Sequence, residues 1–285
     1  MFDFGSAIRQ HRSMRPNPSP ALAGRRHQRI LHELADHGDV RVRELTALLG
    51  VSEMTIRRDL DVLAGSGLLV KVHGGATRVD VRRSTDEPGF AAKSHQQQRE
   101  KEAIADAAAS LIRPGTAIGI TAGTTTWQLA RRMADVADLV VVTNSLPVAD
   151  ALHERRRSDL TVVLTGGVRT PSDALVGPVA AATLRSLHLD VVFMGVHGMA
   201  EDAGFTTPNL VEADTNRAFV GSAQRLVVLA DHTKWGLVGL SSMAALDDAD
   251  VVVTDDRIPT AARAALGASV GDLVVVRRLR AERRA

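Results

Sequence analysis

The sequence predicts an α/β protein in two parts, an amino-terminal winged helix-turn-helix followed by a Rossmann-like domain on a mostly parallel sheet. Two observations carry the prediction. The stretch from Val51 to Leu63 reads as a short helix with arginines on its outer face, entered by a turn at Gly50 and followed, from Gly67 to Gly75, by a small β-hairpin. Beyond Pro114 the texture changes, and short β-branched runs alternate with helical segments. The 285 residues are 45% apolar, enough for about two domains with a real core.

Residues 1–22, with Pro16, Pro18 and Pro20 among polar neighbours, are predicted as a disordered extension. Met1 to Pro20 holds no continuous apolar segment, and no run of 18 apolar residues occurs, so neither a signal peptide nor a membrane span is expected, and the expected compartment is the cytoplasm. With no cysteine there is neither a disulfide framework nor thiolate chemistry.

Residues 23–78 are expected to form the reading head, with its helix-turn-helix over 40–59. A first helix runs from Arg26 to Ala35 on Ile30, Leu31 and Leu34; a second, on Val42, Leu45, Leu48 and Leu49, ends at Gly50. In the third, Ser52 is placed to cap the amino terminus with Val51 as a staple, and Ile56, Leu60 and Leu63 make one apolar stripe. At about 100° per residue that stripe turns Met54 and Arg58 away from the core, with Thr55, Arg57 and Asp61 on the flanks. A second helix presenting arginine and hydroxyl groups suits the major groove of double-stranded DNA, where arginine forks fit guanine edges and phosphates alike. The charge agrees: residues 1–83 hold 14 Lys and Arg against 9 Asp and Glu, whereas residues 84–285 hold 21 against 24.

Residues 79–94, with Pro88 and Gly89, read as a linker, and Gln96 to Ile112 as a helix. Seven strands are expected: Ala117 to Ile120, Leu139 to Val142, Thr161 to Leu164, Val191 to Met194, Leu226 to Leu229, Val251 to Val253 and Leu273 to Val276. Near-continuous apolar strands spaced by helices indicate a parallel sheet covered on both faces, which binds ligands at its strands' carboxyl ends. The loops there are rich in small and hydroxyl residues. Thr121 to Thr126 leads into a helix at Trp127, so backbone N–H groups, hydroxyls and a helix dipole converge on an anion. This cradle has neither the lysine of a P-loop nor dinucleotide spacing, and no cofactor is expected. Asn144 and Ser145 suit sugar hydroxyls, and Arg169, after Gly166 and Gly167, suits a carboxylate or phosphate. Gly195 to Gly198 brings His197, and Asp231 to Lys234 closes the sixth loop. The ten histidines show no metal-ligand spacing. Residues 277–285 form a basic tail.

Leu45 through Leu63, with its Thr-Ile-Arg-Arg-Asp-Leu string, and the Gly-Leu-Leu-Val-Lys-Val-His-Gly-Gly-Ala run ending at Ala76 resemble the winged helix-turn-helix of the DeoR family of bacterial sugar-metabolism regulators. The resemblance covers the chain apart from its ends. It implies a second domain, over 95–276, sharing its fold with ribose-phosphate isomerases and binding a phosphorylated sugar. It assigns operator contacts to Ser52, Met54, Thr55, Arg57, Arg58 and His73. It assigns effector contacts to Gly123, Thr124 and Thr125 as the phosphate loop, to Asn144, Ser145, Gly166, Gly167, Arg169 and Lys234, and to Glu212. Two positions depart from the family pattern: Thr121 and His197 stand where acidic residues are common, which suits a more anionic effector.

Isomerisation of a sugar phosphate needs a general base and an acid beside the substrate. His197, Glu212, Asp231 and Lys234 make an incomplete set, so no catalytic residue is expected. The expectation is a homo-oligomeric repressor of a carbohydrate operon; an isomerase-like enzyme with a DNA-binding head and a transcriptional activator are the alternatives.

Overall fold

The structure, a computed structural model, describes residues 20–37, 39–65, 69–72, 74–77, 82–83, 89–133 and 135–277. It divides into two compact units, one ending at Arg78 and the other starting at Val79.

In the first unit, helix α1 (Pro20–His37) is followed by strand β1 (Asp39–Arg41), helices α2 (Val42–Leu49) and α3 (Glu53–Gly65), and strands β2 (Val70–Val72) and β3 (Gly75–Thr77). The three helices were anticipated, although α1 begins at Pro20, so residues 20–22 are helical and not part of an extension. Proline fits a first helical turn, where no partner for its missing N–H is needed. Residues 1–19 lie outside the described residues. The wing has three strands, not two: β3 is central and pairs antiparallel with both β1 and β2. Gly50 ends α2 in the left-handed conformation, φ 64°, its N–H donating to the Thr46 carbonyl. Ile30 and Leu34 of α1, Leu45 of α2, Ile56, Leu60 and Leu63 of α3 and Ala76 of β3 close one core, which fixes the phase of α3.

The second unit opens with β4 (Arg82–Arg83), α4 (Phe90–Ser94) and α5 (Gln98–Ala109). The segment expected as a linker thus contributes a strand, parallel to Leu237–Val238, and a helix. Then follow β5 (Ala117–Ile120), α6 (Thr124–Arg132), β6 (Leu139–Thr143), α7 (Leu146–His153), β7 (Leu160–Leu164), the hairpin β8 (Val168–Arg169) and β9 (Leu175–Val176), and α8 (Pro178–Arg185). After β10 (Val191–Gly195) come β11 (Gly198–Ala200), β12 (Gly204–Thr207), α9 (Leu210–Gly221), β13 (Leu226–Leu229), a 3-10 turn (His232–Lys234), β14 (Leu237–Val238), β15 (Ser241–Ala244), β16 (Val251–Asp255), α10 (Thr260–Ser269) and β17 (Asp272–Val276).

All seven anticipated strands form one parallel sheet in the order β7-β6-β5-β10-β13-β16-β17. Side chains alternate across it. On β10, Val192 and Met194 join the core with Leu184, Phe205 and Phe219, while Val191 and Phe193 join the core with Ile104, Leu129 and Val148. The order reverses between β5 and β10, so the chain leaves these adjacent strands toward opposite sides and opens a crevice at their carboxyl ends. A small antiparallel sheet, β11-β12-β15, flanks this end and was not anticipated.

Candidate functional site

The first unit offers α3 as its reading surface. Ser52 caps the helix, its Oγ accepting from the Thr55 amide at 3.3 Å and lying 3.0 Å from the Thr55 hydroxyl. Met54 is 74% exposed, Arg58 is exposed, and Arg57 is exposed while paired with Glu53 at 3.1 Å. The sequence reading therefore placed these groups on the outer face, with Thr55 half-buried. His73 lies outside the described residues.

Asp59, between the arginines and the apolar stripe, points inward. It is nearly buried and accepts from Arg26 Nε at 2.8 Å and Nη2 at 2.9 Å, with His27 Nε2 at 3.0 Å. Burial pushes its carboxyl up, but the hydrogen bonds from Arg26 and His27 outweigh this and hold it below the ordinary aspartate range. This tie joins α1 to α3 and was missed, because its partners lie over 30 residues away. Lys71 of β2 pairs with Asp61 of α3, joining wing to helix. Arg41 and Arg43 flank Arg57 in a groove between α2, α3 and the wing, adding cations that periodicity did not single out.

In the second unit a cleft lies at the β5/β10 reversal. Its floor is Ala122 to Thr125 after β5 and Gly195 to His197 after β10; Asp231, Thr233 and Lys234 follow β13, and Thr207, Pro208 and Glu212 come from β12 and α9. Helix α6 starts at Thr124, three residues earlier than expected, so the threonines are its first turn and their amides belong to its positively polarised end. Glu212 is placed by Asn209, whose Oδ1 accepts from the Val211 and Glu212 amides at 3.0 and 3.1 Å.

Of the expected ligand residues, Gly123, Thr124, Thr125, His197, Glu212 and Lys234 meet in this cleft. The others serve its framework. Thr121 is buried and its Oγ1 accepts from the Gly195 amide at 3.1 Å, tying β5 to β10 across the reversal. Asn144 is buried; its Oδ1 accepts from the Ala122 amide at 2.8 Å and its Nδ2 donates to the Leu175 carbonyl at 3.2 Å. Ser145 caps α7 by accepting from the Val148 amide. Gly166 and Gly167 turn β7 into the hairpin at φ 72° and 117°, and a Cβ on Gly167 would stand 2.5 Å from the Val176 carbonyl oxygen. Arg169 is 64% exposed and spends its guanidinium on Asp173, at 2.8 and 2.6 Å.

One wall was not anticipated. Phe90, Lys93, Gln96, Gln97 and Lys101, from α4 and the start of α5, line the cleft, as does Ser172. Phe90 stacks edge-on against Trp127, ring centroids 5.7 Å apart. Lys101 is buried, and burial brings its ammonium down to about 8; Asp231 opposes that shift, and Lys234 and Lys93 reinforce it. Three lysines, a helix amino terminus, two carboxylates and hydroxyls in one cleft suit a polyhydroxylated anion. Among the described residues, no group of three or more His, Asp or Glu is arranged to hold a metal ion, and no helix is long and apolar enough to cross a membrane.

Comparison with known proteins adds relatives to this geometry. The family described as DeoR-like helix-turn-helix domain matches residues 26–82, and that described as DeoR C terminal sensor domain matches residues 96–256. The chain is 37% identical over 236 residues to the uncharacterised helix-turn-helix-type transcriptional regulator FruR of Bacillus subtilis, covering 82% of this chain and 92% of that protein. It is 35% identical over 235 residues to a putative aga operon transcriptional repressor of Escherichia coli O157:H7, covering 82% and 87%. It is 35% identical over 243 residues to the regulator GlpR of Haloferax volcanii, covering 85% and 93%. Among solved structures, a ribose 5-phosphate isomerase of Methanocaldococcus jannaschii aligns at a TM-score of 0.35 and 16% identity, over 47% of this chain and 53% of that one. The chain thus spans about half the length of that isomerase.

Proposed function

Because this chain belongs to the DeoR family of transcriptional regulators, we propose that it represses a carbohydrate-metabolism operon until a phosphorylated sugar occupies the cleft at the β5/β10 reversal. The observation carrying this reading is the composition of that cleft. The α6 amino terminus, Lys101 and Lys234 suit a phosphoryl group, and Glu212, Asp231 and His197 suit hydroxyls. A relative named as an operon repressor supports repression over activation. The cleft binds without turnover in this reading, as relatives named as regulators support. Operator DNA meets α3, and paired heads of a homo-oligomer acting in the cytoplasm multiply modest single-site affinity on repeated half-sites. To shift the equilibrium, the effector binds the DNA-competent and DNA-incompetent conformations with different affinity.

Thermal unfolding against a panel of phosphorylated sugars tests the sensor half. A ligand at about 100 times its dissociation constant adds roughly 2.7 kcal/mol, a shift of about 5–11 °C. One compound shifting the wild type and not the Thr124→Ala/Thr125→Ala variant is the expected result. A shift retained by that variant moves the site elsewhere, and no shift by any sugar phosphate removes the effector class.

A further inference from the structure

The cleft holds a buried cation that the loops at the β5/β10 reversal do not supply. Lys101 is 3% exposed, lines the cleft, and donates from Nζ to the Lys93 carbonyl at 2.7 Å. An ammonium carries three N–H donors, and among the described residues that carbonyl is the acceptor it has. Asp231, whose charge acts on it, turns Oδ1 to the Thr233 amide and hydroxyl. Lys101 also sits in the first turn of α5, at the end of the helix dipole that disfavours a cation. Both costs fall when an anion enters the cleft.

Resting on the cleft's reading as the effector site, we propose that Lys101 is the phosphoryl-binding residue that makes it select a phosphorylated sugar over the same sugar without its phosphoryl group. Lys93 and Lys234 complete the cationic wall.

The charged groups of the cleft and of the elements packed against α5 are these. Lys93 from α4 and Asp231 and Lys234 after β13 act on it by charge, and His197 after β10 and Glu212 of α9 share its cleft; β16, packed against α5, brings Asp255, paired with His232, and Arg257 follows it, paired with Glu100. Helix α6 brings Arg132, paired with Glu102 and Asp106 of α5. Held to about 8, the ammonium is mostly charged at pH 7 and mostly neutral at pH 9. A bound dianion favours the charged form, so binding takes up a proton and weakens as pH rises through that value.

The test is isothermal titration of the full chain with inorganic sulfate, a dianion of phosphoryl shape that does not itself titrate between pH 7 and 9. Wild-type affinity is expected to fall roughly tenfold over that range. Lys101→Met loses about tenfold at pH 7 and flattens the profile; Lys101→Arg binds with a flat profile, because its guanidinium stays charged. A flat wild-type profile overturns the proposal and needs no variant to fold. So does Lys101→Met binding like wild type while Thr124→Ala/Thr125→Ala loses sulfate, an outcome that leaves the cleft reading standing. Absence of sulfate binding overturns the Lys101 assignment, and the cleft reading then rests on the sugar-phosphate panel.

Discussion

Asp59 shows what a single residue does in the reading head. In the Arg57-Arg58-Asp59 run, two side chains face outward and the third faces inward, because a step of about 100° separates neighbours on a helix. Its carboxylate holds Arg26 and His27 of α1 against α3. Asp59→Ala removes charge-assisted bonds and leaves Arg26 without its partner, a cost of about 2 kcal/mol. Both tryptophans, Trp127 and Trp235, lie in the second unit, so fluorescence misses this loss and amide hydrogen exchange along α1 and α3 measures it. The same tie sets an acid limit. The folded pKa is depressed, so the stabilisation is complete above the unfolded value of about 4 and is lost as pH falls through the lower folded value. Exchange protection in wild-type α1 is expected to fall on acidification, and Asp59→Ala to show less of that fall; equal acid sensitivity in both counts against the tie.

At the scale of elements, the wing depends on one close approach. Gly75 of β3 lies so near β1 that a Cβ would stand 2.1 Å from the Val40 carbonyl oxygen, whereas neighbouring Gly74, at φ 82°, faces open space. Gly75→Ala is therefore expected to cost about 3 kcal/mol and to unpair β1, while Gly74→Ala costs about 1 kcal/mol of backbone strain and leaves the wing paired. Exchange of the Val40 and Arg41 amides separates the two, and equal effects contradict the packing argument. The elements most legible in sequence were those with a strong period. The seven β-branched runs and the Ile56, Leu60, Leu63 stripe declared themselves, since burial on both faces or on one stripe leaves a regular pattern. The three-residue β1 and the β11-β12-β15 sheet did not, because their strands are too short to show alternation and their pairing is set by distant partners. The cleft was half legible for a similar reason. Residues directly after strands, such as Gly123 and His197, were placed by topology. Thr121 and Asn144 carry the same polar chemistry but spend it on the backbone of adjacent strands, and Arg169 is taken by Asp173 four residues on. Lys101 was invisible because α4 and α5 reach the cleft from the segment read as a linker and the helix after it.

For the whole molecule, the proposed function couples occupancy of the second unit's cleft to operator binding by the first. A ligand with equal affinity for the two conformations shifts nothing, so the coupling is a difference in affinity, commonly about 1–3 kcal/mol. The most direct measurement is operator affinity, on a genomic fragment selected by the protein, with and without the sugar phosphate that raises the unfolding temperature. This compound is expected to weaken operator binding of the wild type by about 5- to 150-fold. Lys101→Met is expected to bind the same DNA and to need about tenfold more compound for the same response, and Arg58→Ala to lose DNA affinity while still binding the compound. An operator affinity unchanged by any compound that occupies the cleft contradicts this coupling.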